Sequence, residues 1–158
     1  MHRFKEAEGL NKVAEFHDIF DLPVVQSPAI PDRKRCELRY ALLAEELREL
    51  HEALENNDIV EAADALADLQ YVLSGAILEL GLGHKFGSLF DEVHRSNMSK
   101  TCKTKEEAWA TQEYYLKEKN TESFLVEKNG EYLVLRSSDK KVLKSVNYSP
   151  ADIKSFIQ

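Results

Sequence analysis

The stretch LLAEELRELHEALENNDIVEAADALADLQYVLSGAILEL, residues 42–80, holds two helical patterns separated by the turn signal Asn56-Asn57-Asp58. Projected at about 100° per residue, Leu42, Leu43, Leu47, Leu50, Ala53 and Leu54 of the first pattern fill one continuous arc, the expected buried face. Glu46 falls inside that arc, Glu49 on its border and Glu45 one step further out. The second pattern, Ile59 to Leu80, is apolar or small at nearly every position, so it is expected to be covered on most sides. Its only charged residues, Glu61, Asp64, Asp68 and Glu79, keep returning to one sector of the helix. Helices joined by so short a turn pack antiparallel, which lets the Glu46/Glu49 and Asp64/Asp68 sectors face each other.

Working outward, Asp32 is placed to cap the first long helix, which runs to about Asn56, and Asp58 to cap the second. Residues 5–20 carry Leu10, Val13, Phe16, Ile19 and Phe20 at helical spacing, and the proline-rich LPVVQSPAIPD is an extended connector. Gly81 and Gly83 close the second helix; residues 84–97 and 105–119 read as two further helical segments. After Asn120 the period changes to two. SFLVEK, EYLVLRSS and KKVLKSVNY read as a three-stranded meander, followed by a short helix with Ser149 and Pro150 at its start. The expectation is a mainly α chain: a helical bundle over 1–119 and a small β-meander plus helix over 120–158.

Composition narrows the function. At 158 residues, 43% of them hydrophobic, the chain is long enough for a core without disulfides. A net charge of −7 argues against a nucleic-acid polymer as partner. Cys36 and Cys102 form no CxxC, which suits a reducing compartment. The amino terminus MHRFKEAEGL has no apolar leader core, and LQYVLSGAILELGLG is interrupted by Gln70 and Glu79, so neither export nor membrane insertion is expected. A cytoplasmic protein is the reading.

The chemistry lies in the acids. No Lys or Arg occurs from Glu49 to His84, while eight Asp and Glu do. An unpaired buried carboxylate costs several kcal/mol, so a cluster of them calls for a cation. Oxygen donors alone suit Mg²⁺, with Mn²⁺ able to substitute. The plainer reading gives Glu45, Glu52 and Glu55 to the solvated face, makes Glu79 a snorkelling group or a partner of the N-terminal helix, and leaves Glu46 and Asp68 protonated or bridged by Arg39, seven residues before Glu46. One arginine cannot neutralise the whole stripe. Farther on, FDEVHRSNMSK brings Arg95, Asn97 and Lys100 together, donors suited to an oligophosphate.

LLAEELREL, then EAADALADLQYVL, then EVHRSNMSK resembles the all-α NTP pyrophosphohydrolase superfamily, the MazG-like enzymes, and in particular its dUTPase-like and phosphoribosyl-ATP pyrophosphohydrolase-like branches. The likeness covers roughly residues 10–105. The family's EExxE corresponds to Glu45-Glu46-Leu47-Arg48-Glu49, and its Asn and Lys to Asn97 and Lys100. Its ExxD has two alignments. Asp68 fits with Asp64 as the nearby acid, since the position three before Asp68 is Ala65; Glu61 is then an outer ligand. Alternatively Glu61-Ala62-Ala63-Asp64 is the ExxD itself.

The resemblance implies metal-dependent hydrolysis of a nucleoside triphosphate between its α and β phosphates, of dUTP or a non-canonical nucleotide in a house-cleaning role. Glu46, Glu49, Asp64 and Asp68 would hold Mg²⁺, Glu45 or Glu46 would orient the attacking water, and Arg95, Asn97 and Lys100 would grip pyrophosphate. It also implies a homodimer or homotetramer. Phe16, His17 and the 22–31 connector are candidates for the base pocket, though both side chains also read as core or structural groups. The alternatives are a phosphoribosyl-ATP pyrophosphohydrolase and a noncatalytic helical interaction module.

Overall fold

A computed structural model describes residues 3–5 and 7–158. Met1, His2 and Glu6, part of the stretch read above for a leader, lie outside the described residues. The chain is mainly helical, 57%, and forms two compact units, Met1–Phe86 and Gly87–Gln158.

In the first unit α1 (Gly9–Ile19) and the hairpin of α2 (Arg33–Glu55) and α3 (Ile59–Glu79) follow from local signals. Asp32 caps α2 by accepting from the Arg35 amide at 3.1 Å, and Asp58 caps α3 by accepting from Val60 and Glu61 at 3.0 and 3.1 Å. Between them Asn57 takes a positive φ of 54°, a conformation asparagine tolerates. The proline-rich connector runs past the end of α3, where Val25 and Ala29 donate to the Leu78 and Leu80 carbonyls, the former shared with the Gly81 amide. Gly81 makes that approach feasible. It has φ +68°, and a Cβ there would stand 2.0 Å from the Ser27 carbonyl oxygen.

The predicted burial of the hairpin is only half met. The end of α3 is buried from Ser74 to Glu79, against α1 and the connector. Along α2 the leucine arc is not closed over: Ala53 is buried, but Leu47 and Leu54 are 58% and 64% exposed. Ile59, Val60 and Leu66 of α3 are exposed as well, so that helix is not covered on most sides. One hairpin and one short helix supply too little surface to enclose both apolar faces.

The second unit contains α4 (Phe86–Met98, starting at the junction), α5 (Lys105–Lys119), β1 (Ser123–Lys128), β2 (Glu131–Arg136) and α6 (Ile153–Ile157). β1 and β2 pair antiparallel across the Asn129-Gly130 turn, with Leu125 opposite Val134. The third expected strand is absent: KKVLKSVNY contributes one isolated bridge, Leu135 to Val142, and then turns. The expected start of the last helix also shifts. Asp152, not Ser149, caps α6, accepting from the Ser155 amide. The core is Cys102, Ala108, Val134 and Leu143, and α5 packs on both strands. The compact units part between Phe86 and Gly87. Cys102 exchanges both backbone hydrogen bonds with Tyr132, and α5 supplies the apolar cover that a two-stranded sheet cannot provide for itself. Among the described residues no helix is long and apolar enough to cross a membrane.

Candidate active site

The acidic hairpin presents its carboxylates in two settings. Where α2 ends and α3 begins, Glu49, Glu52, Asp58, Glu61 and Asp64 line a cleft of about 360 Å³ floored by Ala53 and Ala65. Half-buried Glu46 feels Glu49, Asp68, Glu45 and Asp64. Its Oε2 is buried without a hydrogen-bond partner. Burial, and then the repulsion of those four carboxylates, pushes the Glu46 carboxyl above the ordinary glutamate value. Glu45, Glu49, Glu61, Asp64 and Asp68 are exposed. Among the described residues no three His, Cys, Asp or Glu side chains converge tightly enough to hold a metal ion.

Two expectations about charge need correction. The acids do have one basic neighbour, Arg48 in the cleft, which pairs with Glu52 at 2.6 Å and stands 3.5 Å from Glu49. Its i,i+4 spacing to Glu52 is a signal the sequence carries openly. Arg39 does not bridge Glu46 and Asp68. It pairs instead with Glu79, and Arg35 reaches the same carboxylate through both Nε (3.0 Å to Oε2) and Nη2. Glu79, 1% exposed, thus leaves the acidic sector for a buried ion cluster. Burial pushes its carboxyl up, but the hydrogen bonds from Arg35 and Arg39 outweigh that and hold it below the usual range.

His17 joins this cluster. Its Nδ1 donates to the Pro23 carbonyl oxygen at 2.8 Å, which leaves Nε2 to accept from Arg39 at 3.2 Å. Buried and doubly engaged, His17 is a structural group and not part of a base pocket. Half-buried Phe16 packs on Phe20, ring centroids 4.3 Å apart, and edge-on to Tyr71 at 5.7 Å.

Arg95, Asn97 and Lys100 belong to the second unit. Lys100 donates to the Asn97 side-chain oxygen at 2.6 Å, and Asn97 donates to the Val93 carbonyl. Arg95 is committed to its own unit: both arms of a fork on Glu92 at 2.7 Å, with Ser149 and Pro150 at 3.0 and 3.1 Å. The Arg95 guanidinium, then the Asp152 amide, hold the Glu92 carboxyl down at about 2. A group so depressed contributes stability above the ordinary glutamate range and loses it as pH falls through about 2. Arg95→Ala is therefore expected to free residues 148–152 at neutral pH, read as faster amide exchange there, and wild type to do the same only in strong acid.

The sequence matches the phosphoribosyl-ATP pyrophosphohydrolase family over residues 13–97, just over half of the chain. The chain belongs to that family. Through it the chain sits in the MazG-like all-α NTP pyrophosphohydrolase superfamily, and the helical hairpin with its acid sector is the part of the fold that the match spans in full. A relative, an uncharacterised protein of Acanthamoeba polyphaga mimivirus, is 35% identical over 82 residues, 48% of this chain. The match covers 33% of that relative's length, so the chain spans about a third of it. Membership of the family supports a pyrophosphohydrolase-like, hydrolytic activity.

Proposed function

We propose that the acidic face of α2 and α3, Glu46 and Asp68 together with the adjoining cleft, hydrolyses a nucleoside triphosphate between its α and β phosphates, giving the monophosphate and pyrophosphate, with a divalent cation. The observation that carries this reading is the buried, unpartnered Oε2 of Glu46 amid four other carboxylates. A carboxylate in that position is stable only with a proton or a cation, and a donor set of carboxylate oxygens alone fits Mg²⁺ or Mn²⁺. Glu46, Glu49, Asp64 and Asp68 would hold it by drawing in around it, since no three of them already converge to metal-binding distance, with Glu61 beside them. Bound there, the cation supplies charge against the phosphate oxygens and acidifies water.

The chain's own part is to position and to accept a proton. Glu45, exposed beside Glu46, takes the proton of the attacking water. The α2–α3 hairpin sets the direction of attack along its acidic face. Arg48, tied to Glu52, limits the negative charge of the cleft mouth and so eases entry of a polyphosphate. The proposal rests on the first unit alone, independently of Arg95, Asn97 and Lys100.

The exposed Leu47, Leu54, Ile59, Val60 and Leu66 add a second element. A patch of that kind on a two-helix hairpin suits a second copy of the chain, completing a four-helix bundle.

The test is pyrophosphate release from canonical, deoxy and damaged nucleoside triphosphates and phosphoribosyl-ATP, with Mg²⁺, Mn²⁺ or EDTA. Metal-dependent monophosphate and pyrophosphate from a subset is the expected result. Silence across the panel together with no metal binding would overturn it in favour of an interaction module.

A further inference from the structure

The α2–α3 interface beside the cleft is poorly indexed. Ala53, Ala62 and Ala65 are the fully buried residues there, and the larger apolar side chains nearby, such as Leu50 and Leu69, are only half-buried and key one helix against the other weakly. The carboxylates facing one another repel. A slip of one turn is about 5.4 Å along the axis. The Asn56-Asn57-Asp58 turn, where Asp58 donates to the Ala53 carbonyl at 2.9 Å, holds the near end, and the rest of the hairpin needs its own anchor.

The buried cluster at the far end of the hairpin is built to supply it. Arg35 and Glu46 lie eleven residues apart on α2, and Asp68 and Glu79 eleven apart on α3, about three turns in each case. Each pair therefore shares one face of its helix. In an antiparallel hairpin the register that joins Arg35 to Glu79 is the register that sets Glu46 opposite Asp68. Glu79, 1% exposed, receives Nε and Nη2 of Arg35 and Nη2 of Arg39. A slip would leave that carboxylate buried without its partners, which is strongly unfavourable. Arg39 is itself held in place by His17 and by the bare backbone at Gly75, where a Cβ would come within 2.6 Å of Nη1.

We propose that Glu79, clamped by Arg35 and Arg39, is a positioning residue that registers α2 against α3 and so sets the Glu46/Glu49 carboxylates opposite Asp64/Asp68. This rests on the reading of that cleft as the cation site, but its geometry can be tested separately. The test has two readouts in the full chain. Nitroxides placed by Ala44→Cys and Ala67→Cys, both exposed positions, report the helix register without metal; Cys36→Ser is included, and Cys102 is too buried to label. Mn²⁺ binding followed by electron resonance reports the cleft.

Wild type is expected to give one narrow distance. Glu79→Gln is expected to broaden or shift it and to weaken Mn²⁺ about tenfold or more, with turnover at saturating metal within about threefold of wild type. Arg35→Lys keeps the charge and loses the two-point contact, so it folds and shows the same changes to a smaller degree. Val13→Ala, a cavity in the same unit, is expected to lower the melting temperature and to move neither readout. An unchanged distance with unchanged Mn²⁺ affinity in both clamp variants would overturn the proposal. If wild type bound no Mn²⁺, the cleft reading would fall, and the metal-free distance would still decide the register.

Discussion

Glu46→Gln is expected to abolish metal-dependent pyrophosphate release, by about 10³-fold, while making the metal-free protein slightly more stable. Both effects come from one environment. The carboxylate is half-buried, one oxygen has no partner, and Glu45, Glu49, Asp64 and Asp68 all raise its pKa on top of burial. A folded-state pKa above the unfolded value means that the ionised group opposes folding. Wild type should therefore gain stability as pH falls through the raised pKa toward the usual glutamate value, and Glu46→Gln should lack that gain. Near neutrality the amide removes a repelled charge and is expected to raise the melting temperature slightly. Thermal melts at several pH values, without metal, test the stability half. Steady-state assays over a Mg²⁺ series test the other. A fully active Glu46→Gln enzyme would remove the cleft from consideration as the reaction site.

The second large effect belongs to the buried ion cluster. Glu79→Leu leaves the Arg35 and Arg39 guanidinium groups facing an apolar side chain, and Arg39 is only 13% exposed. Stranding a buried charge typically costs about 3–5 kcal/mol, enough to lower the melting temperature by roughly 10 °C or more in a chain of this size. The loss should be non-additive. Adding Arg39→Met to Glu79→Leu removes the more buried of the two stranded cations, so the double variant is expected to be more stable than Glu79→Leu alone. Gly75→Ala gives a change of sign. Within a helix that substitution ordinarily stabilises by about 1 kcal/mol. Here the added methyl would meet Arg39 Nη1 at 2.6 Å and His17 Nε2 at 3.2 Å, so a net loss is expected in chemical denaturation. A stabilised Gly75→Ala protein would show that Arg39 moves aside freely.

Much of the architecture was legible in the residues. Asp32 and Asp58 cap the two long helices where the pattern places them, and α5 spans Lys105–Lys119 as its spacing indicates. These features depend on contacts three or four residues apart, so a linear reading captures them. The acidic character of the α2–α3 hairpin was equally plain, and with the EExxE pattern it pointed to the family that residues 13–97 match. The arc of leucines on α2 was a correct apolar face with the wrong burial, because amphipathicity does not say whether a neighbour in the same chain covers it.

The choice of partner for each charge was not legible. Glu79 lies in the same angular sector as Glu61, Asp64 and Asp68, and periodicity cannot separate them. What separates them is the height at which α3 passes α2: near the turn the acids meet other acids, and three turns on they meet Arg35 and Arg39. The second unit makes the same point. Ser149 looked like a helix cap, yet its hydroxyl accepts from Arg95, which is fifty-four residues away, and Asp152 takes the cap. The sequence by itself determined the two long helices, their caps and the acid sector, since those are set by near neighbours. Only the tertiary structure decided which acid stays unpaired and which is clamped, because that depends on the register of helices packed side by side.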